Sequence, residues 1–272
     1  MSRKSCRREG KMDLGLEGKV VLVTGGSRGI GWECARVFGL EGARVALASR
    51  GEEGLREARR QLAELGVDAT AIPVDFRDGE KVRKAVDAVE TALGPIDVLV
   101  NSAGSAKHYP PEHDDHGRWR TGMEDKYLSS VHALDAVVPR MGHRGGGVVV
   151  NIAGAGGKVS NPMHMPGGAA NAAIILVASA MAKAWGPRGV RVNTINPGAI
   201  ETERLAAALR VKAETSGKTM EQVRSQALSA IPLGRYGRGE EIAWLCAFLA
   251  SDRAGYISGA TIAIDGGATC LA

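Results

Sequence analysis

Two groups of residues in this chain have the types and spacing to do chemistry. The first is Thr24-Gly25-Gly26-Ser27-Arg28-Gly29-Ile30-Gly31, set between an apolar run and a helical pattern. Glycines in such a place permit a tight turn and let backbone N–H groups approach a pyrophosphate at a helix N-terminus. Arg50 follows Ser49 at the end of the next apolar run. With Arg28 it offers two permanent charges, each with paired donors, which suits a phosphate. The second group is made of proton carriers: Lys126, Lys158, His164 and the run Lys107-His108-Tyr109. His164, three residues before Gly167, is the foremost of the loop donors. No tyrosine occurs between Tyr127 and Tyr236.

Positioning these residues requires a scaffold, and the pattern supplies one. Apolar runs at Lys19–Thr24, Ala43–Ala48, Ala69–Val74, Ile96–Val100, Gly147–Ile152 and Val190–Ile195 alternate with helical segments. This predicts an α/β fold, a single doubly wound parallel sheet with helices on both faces. At 272 residues one core suffices, assigned to 14–272, with 1–13 a basic tail expected to be disordered. That tail holds +4 of the +5 formal charge, so the basic balance does not imply a nucleic-acid groove. No stretch of eighteen apolar residues marks a membrane span. Cys6, Cys34, Cys246 and Cys270 show no paired spacing, which argues against a disulfide framework or a zinc site and fits a reducing cytoplasm. His108, His113 and His116, with Asp114 and Asp115, match no standard ligand set, and no metal is expected.

Further short motifs follow in a fixed order. Asp75 ends the third apolar run. Asn101-Ser102-Ala103-Gly104 follows the fourth, Asn196-Pro197-Gly198 the sixth with Thr202 just beyond, and Asp265-Gly266-Gly267 closes the chain. Together with Thr-Gly-x-x-x-Gly-x-Gly they cover roughly residues 14 to 267. On them the chain resembles the classical short-chain dehydrogenases/reductases, in particular 3-oxoacyl-carrier-protein reductases. The resemblance implies a dinucleotide held by Gly25, Ser27, Arg28, Gly29, Ile30, Gly31, Ser49, Arg50, Asp75, Phe76, Asn101, Ala103, Gly104, Asn171, Pro197, Gly198, Ile200 and Thr202. Asp75 is implied beside the adenine and Thr202 at the nicotinamide amide. An acid at the end of the second strand would favour NAD(H). Arg50 stands there instead, so NADP(H) is expected.

The same resemblance makes the chemistry positions conspicuous. The family's serine falls at Ala153 or Gly154, its tyrosine at Gly167, its lysine at Asn171 and its asparagine at Lys126. All four usual catalytic residues are thus expected to be replaced, with lysine and asparagine interchanged. Lys126, Asn171 and His164 are the candidate catalytic residues. General acid catalysis is worth about 10²- to 10⁴-fold, and positioning is a separate contribution. Losing the tyrosine therefore slows carbonyl reduction without abolishing it. A lysine buried near an oxidised nicotinamide would have a lowered pKa. Three functions remain open: an NADP(H)-dependent oxidoreductase on a small carbonyl or enone through a non-standard site, a silent nucleotide-binding subunit of a mixed tetramer, or a non-redox isomerase or lyase. Segment 201–230 is expected to be a helical substrate lid. Gly167-Gly168-Ala169-Ala170 implies either a roomy site or close helix packing. A homotetramer or dimer is expected through helices resembling Trp119–Met141 and Met163–Trp185, with no nucleic acid or membrane as partner.

Overall fold

Val20–Thr24 (β1) is buried at all five positions, as a parallel strand covered on both faces must be. The computed structural model that shows this describes residues 12–104, 107–113 and 115–269. The basic residues 1–11, Cys6, Asp114 and Cys270 lie outside the described residues.

From β1 the chain passes through the glycine turn into α1 (Gly29–Leu40), then β2 (Arg44–Ser49), α2 (Glu52–Glu64), β3 (Ala69–Pro73), α3 (Gly79–Leu93) and β4 (Val98–Asn101). A loop leads to α4 (His116–Gly122), a π-helical turn over Met123–Leu128, α5 (Ser129–His143) and β5 (Gly147–Ile152). Then follow α6 (Met165–Trp185), β6 (Val190–Pro197), α7 (Glu203–Ser216), α8 (Met220–Ser229), α9 (Gly239–Ala250) and β7 (Thr261–Ile264). The seven strands form one parallel sheet in the order β3-β2-β1-β4-β5-β6-β7. The chain reverses direction across the sheet between β1 and β4, which opens a crevice at their carboxyl ends.

Alternation along each strand feeds two cores. Val21 and Val23 face Phe38 of α1 and Ile242 and Leu249 of α9, while Leu22 faces Val82 and Val86 of α3 and Leu134 and Met141 of α5. Cys34 and Cys246 meet in the first core as free thiols 3.6 Å apart. Sequence spacing could not pair them, because they come from helices at opposite ends of the chain. Among the described residues no group of His, Cys, Asp or Glu is placed to hold a metal.

Three expectations change in detail. The helix after the glycine turn starts at Gly29, not Trp32. Trp119–Met141 is not one regular helix: the π-turn interrupts it, and Ser129 and Ser130 donate to the Glu124 and Lys126 carbonyls. Segment 201–230 is two helices, because Gly217 ends α7 at φ +66 and Thr219 opens α8 with a capping box to Gln222. One helical stretch among the described residues, Pro162–Arg188, is long and apolar enough to cross a membrane (mean hydropathy 1.5). It contains α6, which packs on β6 as a layer of this fold.

Candidate active site

The glycine turn is built for close backbone approach. A Cβ on Gly31 would stand 2.3 Å from the Gly25 carbonyl oxygen, and one on Gly25 would stand 3.0 Å from Ala103 Cα. Gly25 also takes φ +68, a left-handed conformation that costs glycine little. Ile30 is half-buried behind this turn and Ser27 packs near Gly54. Thr24 ties it to β4: its Oγ1 accepts from the Ser102 and Ala103 amides (3.0 and 2.9 Å) and donates to Asn101 Oδ1. Asn101 in turn donates to Asn151 Oδ1 and the Ser130 carbonyl, both at 3.0 Å. This buried chain fixes the carboxyl ends of β1, β4 and β5, the floor on which a dinucleotide would lie.

The far wall comes from β6 and α7. Gly198 leaves room for Asp265, whose Cβ would be 2.7 Å from an added methyl. Pro197 and Ile200 are buried. Thr202 caps α7, accepting from the Leu205 amide, and its methyl approaches Gly29 across the crevice. Ser49 Oγ is buried with no partner among the described residues, a donor waiting beside Arg50. These cradles fit a dinucleotide.

The charged residues are arranged differently from the sequence expectation. Arg28 does not wait for a phosphate beside Arg50; its Nη1 donates to Glu203 Oε2 at 3.0 Å, and both side chains are exposed. Arg50 is also exposed and lines a cavity of about 540 Å³ with Val74, Asp75, Lys81 and Lys84. Asp75 is engaged by Arg77 (2.6 Å), which, ahead of the field of Arg50, holds its carboxyl below the usual range. Phe76 is buried next to it. A larger depression, about 860 Å³, opens at the other end of the sheet around Lys19, Asp97, Arg144 and Arg191. We place the reactive crevice at the carboxyl ends of the strands instead, where parallel α/β sheets hold ligands.

Lys126 is the most unusual side chain of the site. It is 4% exposed and lies in the π-turn, a feature that often marks functional positions. Its Nζ donates to the Ile152 carbonyl at 2.9 Å and the Ala103 carbonyl at 3.4 Å. Among the described residues no carboxylate pairs with it. Burial, assisted by the positive field of Arg204, lowers its pKa to about 7. Gly104 makes the approach possible, since a Cβ there would lie 2.1 Å from the Asp125 carbonyl oxygen. Asn171, 3% exposed, accepts from the Gly154 amide at 3.1 Å. Lys126 and Asn171 therefore hold the same three-residue stretch, 152–154, from two sides.

His164 is 7% exposed and its Nδ1 lies 3.3 Å from the Lys107 carbonyl. Its ring stacks on His108 with centroids 4.3 Å apart. Burial, then the fields of Arg204 and Lys126, lowers His164; burial, His164 and Arg204 bring His108 down to about 4. The pairing of His108 with His164 and the reach of Arg204 escaped the sequence reading. Arg204 was findable: it is the cation two residues past Thr202, on a segment scanned for apolar positions only.

The small residues of α6 do not leave a roomy site. An added Cβ on Gly168 would be 2.9 Å from the Gly156 carbonyl oxygen, and one on Gly157 would be 2.9 Å from Asn171. Gly122 meets Pro166 as closely, at 2.8 Å. The turn after β5 has moved onto the helix, and close packing is the structural outcome.

The model of the Enoyl-(Acyl carrier protein) reductase family matches residues 25–269. A dinucleotide crevice on a doubly wound sheet defines the class. The chain belongs to this family, within the classical short-chain dehydrogenases/reductases. D-threitol dehydrogenase of Mycolicibacterium smegmatis is 38% identical over 261 residues, 94% of this chain and 95% of that protein. The L-sorbose reductase of Gluconobacter frateurii, solved with NADPH and L-sorbose, superposes with a TM-score of 0.88 at 30% identity, covering 96% of this chain and all of that one. A xylitol dehydrogenase with bound NAD+ gives a TM-score of 0.88 at 29% identity, covering 93% and 99%.

Proposed function

We propose that this chain is an NADP(H)-dependent oxidoreductase whose proton carrier is Lys126. The observation that supports the reading is the buried Lys126 amine, held by two backbone carbonyls, with a pKa near 7. In this reading the usual serine, tyrosine, lysine and asparagine are replaced by Ala153 or Gly154, Gly167, Asn171 and Lys126. NADPH supplies the hydride when bound. Lys126 Nζ delivers the proton to the carbonyl oxygen, Asn171 fixes the 152–154 stretch and bonds the ribose, and His164 returns protons from solvent. Arg50 favours the phosphorylated cofactor, with Ser49 and Asp75 at the adenosine end. The remaining cofactor contacts are those proposed from the sequence, from Gly25 through Thr202.

The test is a panel of ketones, enones and acyl thioesters assayed with NADPH and NADH, using the unsubstituted protein and Lys126→Met. Turnover that depends on Lys126 supports the reading. No NADPH binding by calorimetry would sink it. One observation favours a second reading: Gly156 and Gly157 fill the space beside Gly168 and Asn171, as in a site given over to packing. That favours a silent nucleotide-binding subunit, which turnover by the isolated protein excludes. We further propose a homo-oligomer joined through α5 and α6, whose Leu176 is 73% exposed, working in the cytoplasm, where thiols such as Cys34 and Cys246 stay reduced.

A further inference from the structure

We infer that the site takes a substrate bearing a carboxylate. The inference rests on the reading just given and names the substrate class. Four basic side chains converge on the crevice from four segments: Lys126 from the π-turn, His108 from the loop after β4, His164 from the turn before α6, and Arg204 from α7. Their proximity is geometric as well as electrostatic. The two imidazoles stack at 4.3 Å, His164 reaches the Lys107 carbonyl, and Arg204 bears on all three of the other groups.

Among the described residues this cluster contains no acid. Lys126 is the decisive member, because its only recorded partners are the Ile152 and Ala103 carbonyls. A buried ammonium needs a counter-charge. Here the protein provides dipoles only, and the amine answers by giving up its proton near neutrality. Arg204 retains exposed surface, so it acts from the mouth of the crevice, where an incoming ligand passes it. A ligand carboxylate would complete the cluster: Arg204 offers it a paired-donor face, and its charge returns the proton to Lys126. A neutral polyol, by contrast, leaves the cations repelling one another. One carboxylate suits the narrow, glycine-packed crevice better than a bulkier dianion.

The test uses matched pairs that differ only in the charged group: D-threonate against D-threitol, and D-gluconate against D-glucitol. Each is titrated calorimetrically into the NADP+-saturated protein at pH 8, in two buffers of different ionisation enthalpy. At that pH free Lys126 is mostly neutral, so carboxylate binding should draw a proton from the buffer. The expected result is an acid at least about tenfold tighter than its alcohol, the scale of one charged hydrogen bond, with measurable proton uptake. Arg204→Leu should weaken the acid by about the same factor, and Lys126→Met should remove the proton uptake. Should Lys126→Met fail to fold, uptake by the unsubstituted protein still decides. Equal binding of acid and alcohol, no binding of either acid, or acid binding without proton uptake would each overturn the inference. NADPH binding and Lys126-dependent reduction of a neutral ketone are measured separately. If they persist, the oxidoreductase reading stands while the substrate class falls.

Discussion

The two halves of the crevice use glycine for opposite ends. At β1 and β4, Gly25 and Gly31 hold the backbone open to a ligand: the turn they make is a rim around space. At β5 and α6, Gly156, Gly157 and Gly168 let two backbone segments close on each other, so the space is consumed. The same residue type thus makes a cradle in one half and a seal in the other. The nucleotide half keeps its polar chain Thr24–Asn101–Asn151 fully tied, whereas the chemical half concentrates its ionisable character in Lys126 and its basic neighbours.

The sharpest way to break this contrast is Gly31→Ala. The new methyl would meet the Gly25 carbonyl, backbone against backbone, and the cradle cannot yield cheaply. We expect NADPH affinity to fall about 100-fold or more, with a loss of stability of about 1–3 kcal/mol, measured by calorimetry and thermal melting. Unchanged binding would show that this turn is not the cradle.

Lys126→Met probes the other half. Reductive turnover should fall about 10²-fold or more. In the unsubstituted protein turnover should be highest below pH 7 and decline as Lys126 deprotonates above it. Stability supplies an independent readout. The unfolded chain holds this proton up to the ordinary lysine value of 10.5, while the folded protein releases it near 7. Folding is therefore penalised most at and below pH 7, and the penalty fades as pH rises towards 10.5. Lys126→Met should be the more stable protein at pH 6, by on the order of a few kcal/mol, and the gap should shrink by pH 10. A gap independent of pH would place Lys126 in solvent.

Arg50→Ala sharpens the nucleotide side alone. NADPH should weaken about tenfold relative to NADH, the scale of a charged hydrogen bond to an exposed phosphate; parallel losses for both cofactors would remove the phosphate role. The smallest effect belongs to the Arg28–Glu203 pair. Both partners are exposed, and such pairs contribute about 0–1 kcal/mol. Glu203→Gln should free Arg28 and tighten NADPH by no more than a few-fold, an effect that salt erases.

Much of the nucleotide half was legible in the sequence because its signals are local. The apolar runs from Lys19 to Ile195 lie within a residue or two of the strands, and the glycine turn announces itself over eight positions. The chemical half depends on contacts between distant segments. Lys126 was found by counting from Trp119, yet its burial comes from a π-turn that no simple period reveals. The stacking of His108 on His164, and of Cys34 against Cys246, joins residues whose separation along the chain carries no periodic signal. Gly167-Gly168-Ala169-Ala170 read equally well as space or as contact, because small side chains permit both. Only the position of Gly156 decides between them.

The seal at Gly156, Gly157 and Gly168 also has a history written into it. Once a turn has settled onto a helix at backbone distance, a lineage cannot walk back one substitution at a time. Any bulkier residue along that contact arrives before the room for it does and is selected against on arrival. Whatever this crevice now does, the route to a more ordinary chemistry runs through two simultaneous changes. The molecule is in that sense committed by its packing to the residues it has kept.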